Sequence, residues 1–332
     1  MKIAVDAMGG DNAPDAIVLG CLQALKEFDD IEISLFGKED AVEAILNAHS
    51  ADRSRLQIIN CSDVIGSGEH PVDAIKKKKD SSLVRGLESL SAGEQDIFIS
   101  AGNTGAVLAG GILIVRRMKG IKRPALAPLL PTKTGKGVLL IDCGANVDCR
   151  PEHLTQFALM GSAYMEKVTG VVNPAVGLVN NGAEAEKGNE LTKACYELFE
   201  KLPIRFAGNC EAREALSGDF DVIVCDGFVG NVILKLTEGV ASTLAGMLRE
   251  ELQRDFRSKL GALLSMPALK RFKSKMDYTE YGGAPLLGVS KGIIKAHGSS
   301  NAKAFQSAIR QARKFVDCRV IDVIGQIAEQ MD

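Results

Sequence analysis

The 332-residue chain lacks most of the signatures that assign a function at sight. No Gly-x-Gly-x-x-Gly follows the first apolar run, so the fingerprint that brings backbone close to a dinucleotide pyrophosphate is missing. No Gly-x-x-x-x-Gly-Lys-Ser/Thr occurs, which removes the nucleotide P-loop. A Gly-x-Ser-x-Gly elbow offering a serine nucleophile is not expected. Eight cysteines contain no Cys-x-x-Cys; the closest two, Cys143 and Cys149, are six apart, and the four histidines are scattered. A zinc site is not expected, and neither is any other metal or cofactor. Several cysteines fall in apolar runs, as buried thiols do in a reducing cytoplasm. The longest uncharged apolar stretch, Gly105 to Val115, is well short of the roughly 20 residues that span a bilayer. The N-terminus opens on a strand-like run and shows no signal peptide. A net charge of −2 gives no global attraction to nucleic acid or to a membrane, so such binding would need a local patch. Internal repeats and low-complexity linkers are also absent.

Present instead are six apolar, β-branched runs that break into loops rich in Gly, Asn and Asp: Lys2–Asn12, Ile97–Thr104, Leu139–Asn146, Val176–Gly182, Ile204–Asn209 and Val222–Asn231. Short apolar runs suit strands buried on both faces. Gly permits sharp turns and close approach to a ligand, while Asn and Asp cap helices. Any one such loop reads most simply as a capped helix start. Six with the same grammar point to strand ends gathered around one polar cleft, where open α/β sheets place ligands. Free N–H groups at such turns suit an anion, phosphate above all.

Strand-loop-helix units alternate from Lys2 to about Glu238, with helical periodicity in Pro14–Phe28, Ala41–His49, Gly105–Met118, Pro151–Val168, Glu184–Lys201 and Gly230–Gly239. Pro14 and Pro151 stand at first-turn positions. The alternation predicts an α/β fold with a largely parallel sheet covered on both faces. With 46% hydrophobic residues, residues 1–332 read as a single α/β domain of two intertwined lobes. The run Lys76–Lys79 reads as a solvated helix end.

The pattern changes from Thr237 onward. Val240, Leu244, Leu248, Leu252, Phe256, Leu260 and Leu264 recur every four residues, a spacing that advances about 400° per step and so drifts around the helix. Pro267 is expected to interrupt this helix, and a second helix to return to Tyr278. The segment 238–278 is thus expected to be a protruding helical hairpin. Its apolar tip would carry Leu260, Leu263, Leu264, Met266 and Leu269, flanked by seven basic residues and one acidic one between Arg254 and Lys275. Two readings stand: an element for a peripheral membrane surface, and a dimer-packing arm. Both can hold at once. Beyond it, Tyr281–Gly288 reads as a fixed loop lining a cavity, with Gly283 within it, and His297 stands either as an acid/base or as a strand-end histidine.

Asp6–Asp11, Ser100–Ala106, Gly144–Asp148, Asp226–Asn231, Tyr281–Gly288 and His297–Asn301, in that order, resemble the motifs of the bacterial phosphate acyltransferase family, the fatty acyl-[acyl-carrier-protein]:phosphate transacylases of phospholipid synthesis. Asn181 departs from the pattern where an aliphatic residue is expected, and Cys210 where Val is usual. The resemblance implies a three-layer α/β/α, isocitrate/isopropylmalate dehydrogenase-like (Rossmann-like) fold, shared with phosphotransacetylase but without a nucleotide. It also implies a cytoplasmic homodimer loosely associated with the membrane. Its substrates would be acyl carrier protein and inorganic phosphate, and its acyl phosphate would pass to a membrane glycerol-3-phosphate acyltransferase; the basic face of the arm would then have docking of the acidic carrier protein as a third reading.

That chemistry asks phosphate to attack a thioester and expel a thiolate. A thiol with a pKa of about 8.5 leaves readily, so positioning and preorganised dipoles matter more than a strong general acid. Asn103, Asn231, Asp226 and Lys187 are the candidate catalytic groups. Lys187 reads either as the cation that helps hold phosphate or as a solvated lysine at a helix start. Asp6, Gly9, Gly10, Asp11, Asn12, Gly102, Thr104, Asp142, Asn146, Asn180, Gly227, Gly283 and His297 are the candidate substrate-binding residues. Asp6, Asp142 and Asp226 end apolar runs, where a carboxylate needs partners. A coenzyme-A-dependent phosphate acyltransferase or a dehydrogenase on the same fold, and a non-catalytic membrane scaffold, are the alternatives; nucleic acid is not an expected partner.

Overall fold

In the computed structural model, which describes residues 1–276 and 282–331, all six apolar runs contain strands, but they divide between two sheets. Sheet one orders β3 (Leu56–Asn60), β2 (Glu32–Gly37), β1 (Lys2–Asp6), β4 (Ile97–Ser100), β12 (Gly292–Ala296), β11 (Gly283–Leu287) and β5 (Ala125–Leu126). Its first five strands are parallel, and β11 runs antiparallel to both neighbours. Sheet two orders β6 (Leu129–Leu130), β7 (Val138–Ile141), β10 (Val222–Val224), β8 (Ala175–Asn180) and β9 (Arg205–Glu211), parallel except for β6. The expectation of one sheet with six strand ends around one cleft is therefore corrected: β1 and β4 belong to sheet one, and β7 to β10 to sheet two. The break falls at Pro128, between β5 and β6. Proline has no N–H for the ladder; its carbonyl alone is used, accepting from Leu140 N at 3.0 Å.

Helices follow most strand ends: α1 (Asp15–Glu27), α2 (Glu39–Ala48), α3 (Pro71–Lys77), α4 (Ser82–Ser91), α5 (Thr104–Gly110), α6 (Pro151–Tyr164), α7 (Glu190–Phe199), α8 (Gly227–Gln253), α9 (Phe256–Met276), α10 (Ala302–Asp317) and α11 (Val320–Met331). Local chemistry sets their starts. Ser81, Asn103, Asn189, Asp226 and Asn301 each accept a backbone N–H three residues on, as N-caps do. The cap at Asn189 explains why α7 begins six residues later than its periodicity suggests. In the run Lys76–Lys79, Lys78 is not simply solvated: its Nζ donates to Val64 O and pairs with Glu69, both at 2.7 Å. One apolar core runs from Ile3, Val5 and Ile97 under sheet one to Leu139, Val176 and Val222 under sheet two. The hydroxyl of buried Tyr164, on α6, accepts from Gln311 of α10 at 3.3 Å, which ties the two sheets' helices together.

The arm forms differently from expectation. Beyond Ile233, α8 has no buried residue. It ends at Gln253, and Asp255 restarts the chain by accepting Ser258 N at 2.9 Å as an N-cap. The bend thus lies at Arg254-Asp255, and α9 continues through Pro267. The apolar group expected at the tip lies along α9 instead, with Leu260, Leu263, Leu264 and Met266 exposed and Leu269 partly covered. The expected return to Tyr278 lies outside the described residues.

Candidate active site

The C-terminal ends of β1, β4 and β12 and the first turns of α8 enclose a cleft of about 290 Å³. Its polar lining comprises Asp11, Thr104, Asn231, Lys235, Glu238 and His297, with Lys295 beneath; Leu126, Pro128, Leu129, Leu130 and Leu234 form an apolar wall. Asn231, Leu234, Lys235 and Glu238 are spaced three and four apart, so one helix face delivers them all.

Asp6 lies under this cleft. Its buried carboxylate accepts from Ser82 Oγ at 2.6 Å, Ser100 Oγ at 2.7 Å and Met8 N at 3.2 Å. Burial pushes its carboxyl up, against the pull of these hydrogen bonds. Gly9 and Gly102 sit directly on it: a Cβ at Gly9 would lie 2.4 Å from Asp6 Oδ2 and 2.7 Å from Gly102 N. These three residues knit the β1 and β4 ends together and are not among the residues that line the cleft. Gly10 has φ +106°, a region that favours glycine. It turns the chain so that Asp11 N reaches Gly298 O at 2.8 Å, while Asn12 Nδ2 reaches Ser299 O and Ser300 O, both at 3.2 Å. Asn12 therefore clasps the His297–Asn301 loop, and Asp11 faces the cleft.

Asn103 is similarly occupied. Its Oδ1 accepts Ala106 N at 3.0 Å, and its Nδ2 points at the carbonyls of Gly66, Ser67 and Glu69, the nearest at 2.9 Å. Thr104, one residue on, reaches the cleft, as does Gly283. Asp226 caps α8 through Val229 N at 2.8 Å.

Asp142 and Asn146 form a closed bracket. Asp142 accepts Leu126 N at 2.9 Å, Ala145 N at 3.2 Å, Asn146 N at 2.7 Å and Asn146 Nδ2 at 2.9 Å; Asn146 also donates to Pro124 O at 2.7 Å. Burial raises the Asp142 carboxyl against these bonds. Gly227 and Gly230 let α8 rest on the bracket, since a Cβ at Gly230 would lie 1.9 Å from Asp142 O. Asn180 donates to Lys187 O at 3.1 Å and Asn209 Oδ1 at 3.0 Å, holding its own loop. Asp142, Asn146, Asn180 and Gly227 thus act as scaffolding in this structure and are not among the residues that line the cleft. Lys187 is exposed on the β8–α7 loop and also stands apart from the lining residues.

Three residues that sequence reasoning missed sit at the polar end. Lys295 is 7% exposed, and its Nζ donates to Ala101 O at 3.3 Å and to Ala296 O. Burial lowers its pKa to about 8; nearby Asp6 and Asp11 oppose that shift, and Lys235 adds to it. Lys235 Nζ donates to Glu238 at 2.9 Å, and His297 Nε2 lies 3.4 Å from the same carboxylate. Burial raises Glu238, but its hydrogen bonds with His297 and Lys235 outweigh it and leave the carboxyl below its usual range. His297 Nδ1 lies 2.8 Å from Ser299 Oγ and 3.3 Å from Ser299 N, contacts that suit Nδ1 as acceptor and leave Nε2 turned toward Glu238. The signal for Lys295 was available: a lone cation in the apolar run Gly292–Ala296 requires a reason.

No thiol is poised for attack here. Cys143 borders the cleft, but its thiol donates to Gly230 O at 3.4 Å and burial pushes its pKa well up. Gly288-Val289-Ser290-Lys291-Gly292 does match the Gly-x-Ser-x-Gly spacing, contrary to the sequence reading. It joins two antiparallel strands, however, and Ser290 Oγ donates to Val115 O at 2.6 Å.

The mixed α/β fold with parallel sheets defines a class that includes both acyl-transferring and dehydrogenase enzymes. A phosphotransacetylase from Streptococcus pyogenes superposes with a TM-score of 0.61 at 15% identity, over 96% of this chain and 94% of that one. A 4-hydroxythreonine-4-phosphate dehydrogenase from Klebsiella pneumoniae gives 0.53 at 14% identity, over 94% and 98%. The family model described as "Fatty acid synthesis protein" matches residues 1–323. A phosphate acyltransferase of Clostridium perfringens strain SM101 is 54% identical over 332 residues, 100% of this chain and 97% of its own length. The chain belongs to the phosphate acyltransferase family and is an acyltransferase.

Proposed function

We propose that the enzyme transfers a long-chain fatty acyl group from acyl carrier protein to inorganic phosphate, giving acyl phosphate for phospholipid synthesis. The observation that carries this reading is a cleft with two lysines at its polar end and an apolar wall. Lys235 and Lys295 flank a space suited to a phosphate, with Asn231 and Thr104 as neutral donors. Leu126, Leu129, Leu130 and Leu234 offer a surface for the carbons next to the thioester. A phosphate oxygen attacks the carbonyl carbon, the C–O bond forms, and the C–S bond breaks with its electron pair leaving on sulfur. Nε2–H of His297, held by Glu238, supplies a proton close to the departing thiolate. The amide of Asn231 and the lysine ammonium groups stabilise the oxyanion. Lys187 is kept as a further cation approaching from the sheet-two side. The test is phosphate-dependent release of carrier thiol, with acyl phosphate trapped by hydroxylamine; release at the same rate without phosphate refutes the reading.

The arm serves two further parts of the proposal. Val232, Leu236, Val240, Leu244 and Leu248 leave exposed apolar side chains along α8, the kind of surface that protein contacts cover. A homodimer would cover it. The exposed leucines of α9, with Arg257, Lys259, Lys270 and Arg271 beside them, suit a peripheral membrane surface. There the product would meet a glycerol-3-phosphate acyltransferase. Changing Leu263 and Leu264 to Glu is expected to abolish binding to anionic vesicles and to retain turnover of soluble acyl carrier protein. Unchanged vesicle binding removes the membrane role.

A further inference from the structure

A second recess, of about 830 Å³, is lined by Ile112, Arg117, Lys122, Arg123, Pro124, Asp148, Cys149, Arg150 and His153. Residues 116–123 contain five basic side chains and no acidic one, in a chain whose net charge is −2. Lys122 pairs with Glu152 at 3.3 Å, and Arg117 donates to the Lys122 carbonyl. The guanidinium groups of Arg123 and Arg150 have no acidic partner among the described residues. The N-terminus of α6 opens beside them at Pro151, and the helix dipole adds to the positive field, although His153 N is already bonded to Arg150 O at 2.9 Å. His153, buried at the base, feels that field: burial lowers its pKa first, and Arg123, Arg150 and Lys122 push it further down against Glu152. Ile112 and Pro124 give the recess an apolar side; Leu113 and Val147, next in sequence to the lining residues Ile112 and Asp148, are also exposed.

This recess is mechanically joined to the cleft. The Asp142–Asn146 bracket grips Pro124, on the recess, through its carbonyl and Leu126, on the cleft, through its N–H. Thr104, at the start of α5, lines the cleft, while Ile112, eight residues along the same helical run, lines the recess. At about 1.5 Å per residue that is roughly 12 Å. A flexible thioester-bearing arm can cover such a distance, and a partner docked at the recess would not block the cleft.

We propose that the Arg117, Lys122, Arg123 and Arg150 recess docks the acidic surface of acyl carrier protein and presents its thioester to the cleft. This rests on the acyl-carrier reading above. Unpaired guanidinium groups favour carboxylate and phosphodiester partners, through bidentate bonds and long-range steering. The neighbouring apolar residues supply the contact that turns an electrostatic encounter into a specific one.

The test uses the full chain carrying Arg123→Glu and Arg150→Glu, assayed at low ionic strength on palmitoyl-acyl carrier protein and on palmitoyl-pantetheine. Expected is a tenfold or greater loss of kcat/KM on the carrier-borne substrate, carried by KM, with its salt dependence flattened. Turnover of the pantetheine thioester stays within twofold, which also shows that the variant is folded. Arg123→Lys with Arg150→Lys restores most of the lost affinity. Equal losses on both substrates overturn the proposal by making the recess part of the reaction site, and no loss on either overturns it by removing the docking role. Loss of anionic-vesicle binding with carrier turnover intact reassigns the recess to a membrane and overturns it as well. If wild-type enzyme turns over palmitoyl-pantetheine but not the carrier thioester, the acyl-carrier reading itself fails and the proposal falls with it.

Discussion

The strand ends of the two sheets are built from the same residue types and do different work. In sheet two, Asp142, Asn146, Asn180 and Asn209 spend their polar atoms on each other and on nearby backbone. In sheet one, Asp6 does the same, but Asp11, Thr104, Lys295 and His297 stand above it around an open cleft. The lesson is that Asn and Asp in a glycine-rich loop mark a place where backbone must be satisfied. A reaction site arises only where such loops leave charge over. Asp6 and Asp142 are counterparts, one buried carboxylate pinning each sheet, and the two lysines of the cleft, Lys235 and Lys295, sit on the sheet-one side where α8 crosses.

The sharpest way to break this comparison is Lys295→Met. Loss of the buried cation is expected to lower kcat/KM for phosphate by about 10²–10³, the scale seen for a single preorganised transition-state donor. Its pKa of about 8 sets the sign with pH. The wild-type lysine is charged below that value and neutral above it, so kcat/KM for phosphate should fall as pH rises through about 8. The variant should lack that limb. Identical profiles for wild type and variant would remove Lys295 from the anion site.

Asp142→Ala should move stability far more than Asp11→Ala. Removing Asp142 strands the buried N–H groups of Leu126 and Asn146, a loss of about 3 kcal/mol in urea unfolding. Asp11 is exposed, and its truncation should cost no more than about 0.5 kcal/mol. Equal costs would show that the two edges are not specialised. Lys187→Ala asks whether sheet two also contributes charge. The expected effect is about tenfold in turnover, roughly 1.4 kcal/mol, smaller than that of Lys295; a larger effect would move the centre of the site toward sheet two. Cys143→Ser should change turnover by no more than about threefold, because its thiol is buried, raised in pKa and bonded to Gly230. An acyl-cysteine adduct trapped on the reaction path would contradict this.

How far the sequence could be read depended on whether a signal was local. The six strands, the caps at Asn103 and Asp226 and the exposed apolar stripe of the arm are written in near-neighbour spacing, which determines backbone conformation directly. The bend at Arg254-Asp255 was equally local, in Asp255 with Ser258, but Pro267 drew the break to the wrong place. Lys235 and Glu238 repeat the spacing of Asn231 and were legible once α8 had a facing cleft.

Residue order by itself determined an α/β chain with parallel strands and mostly buried thiols. It also carried the motifs of an acyltransferase family in their order. Only tertiary structure decided that the strands divide at Pro128 into two sheets, and that Asp6 and Asp142 are pins. It alone brought Lys295, Lys235 and His297 together from β12, α8 and the loop beyond β12. The physical reason is that a polar side chain's role depends on which partners saturate it. Those partners lie up to 94 residues away for Asp6, a distance that no local pattern encodes.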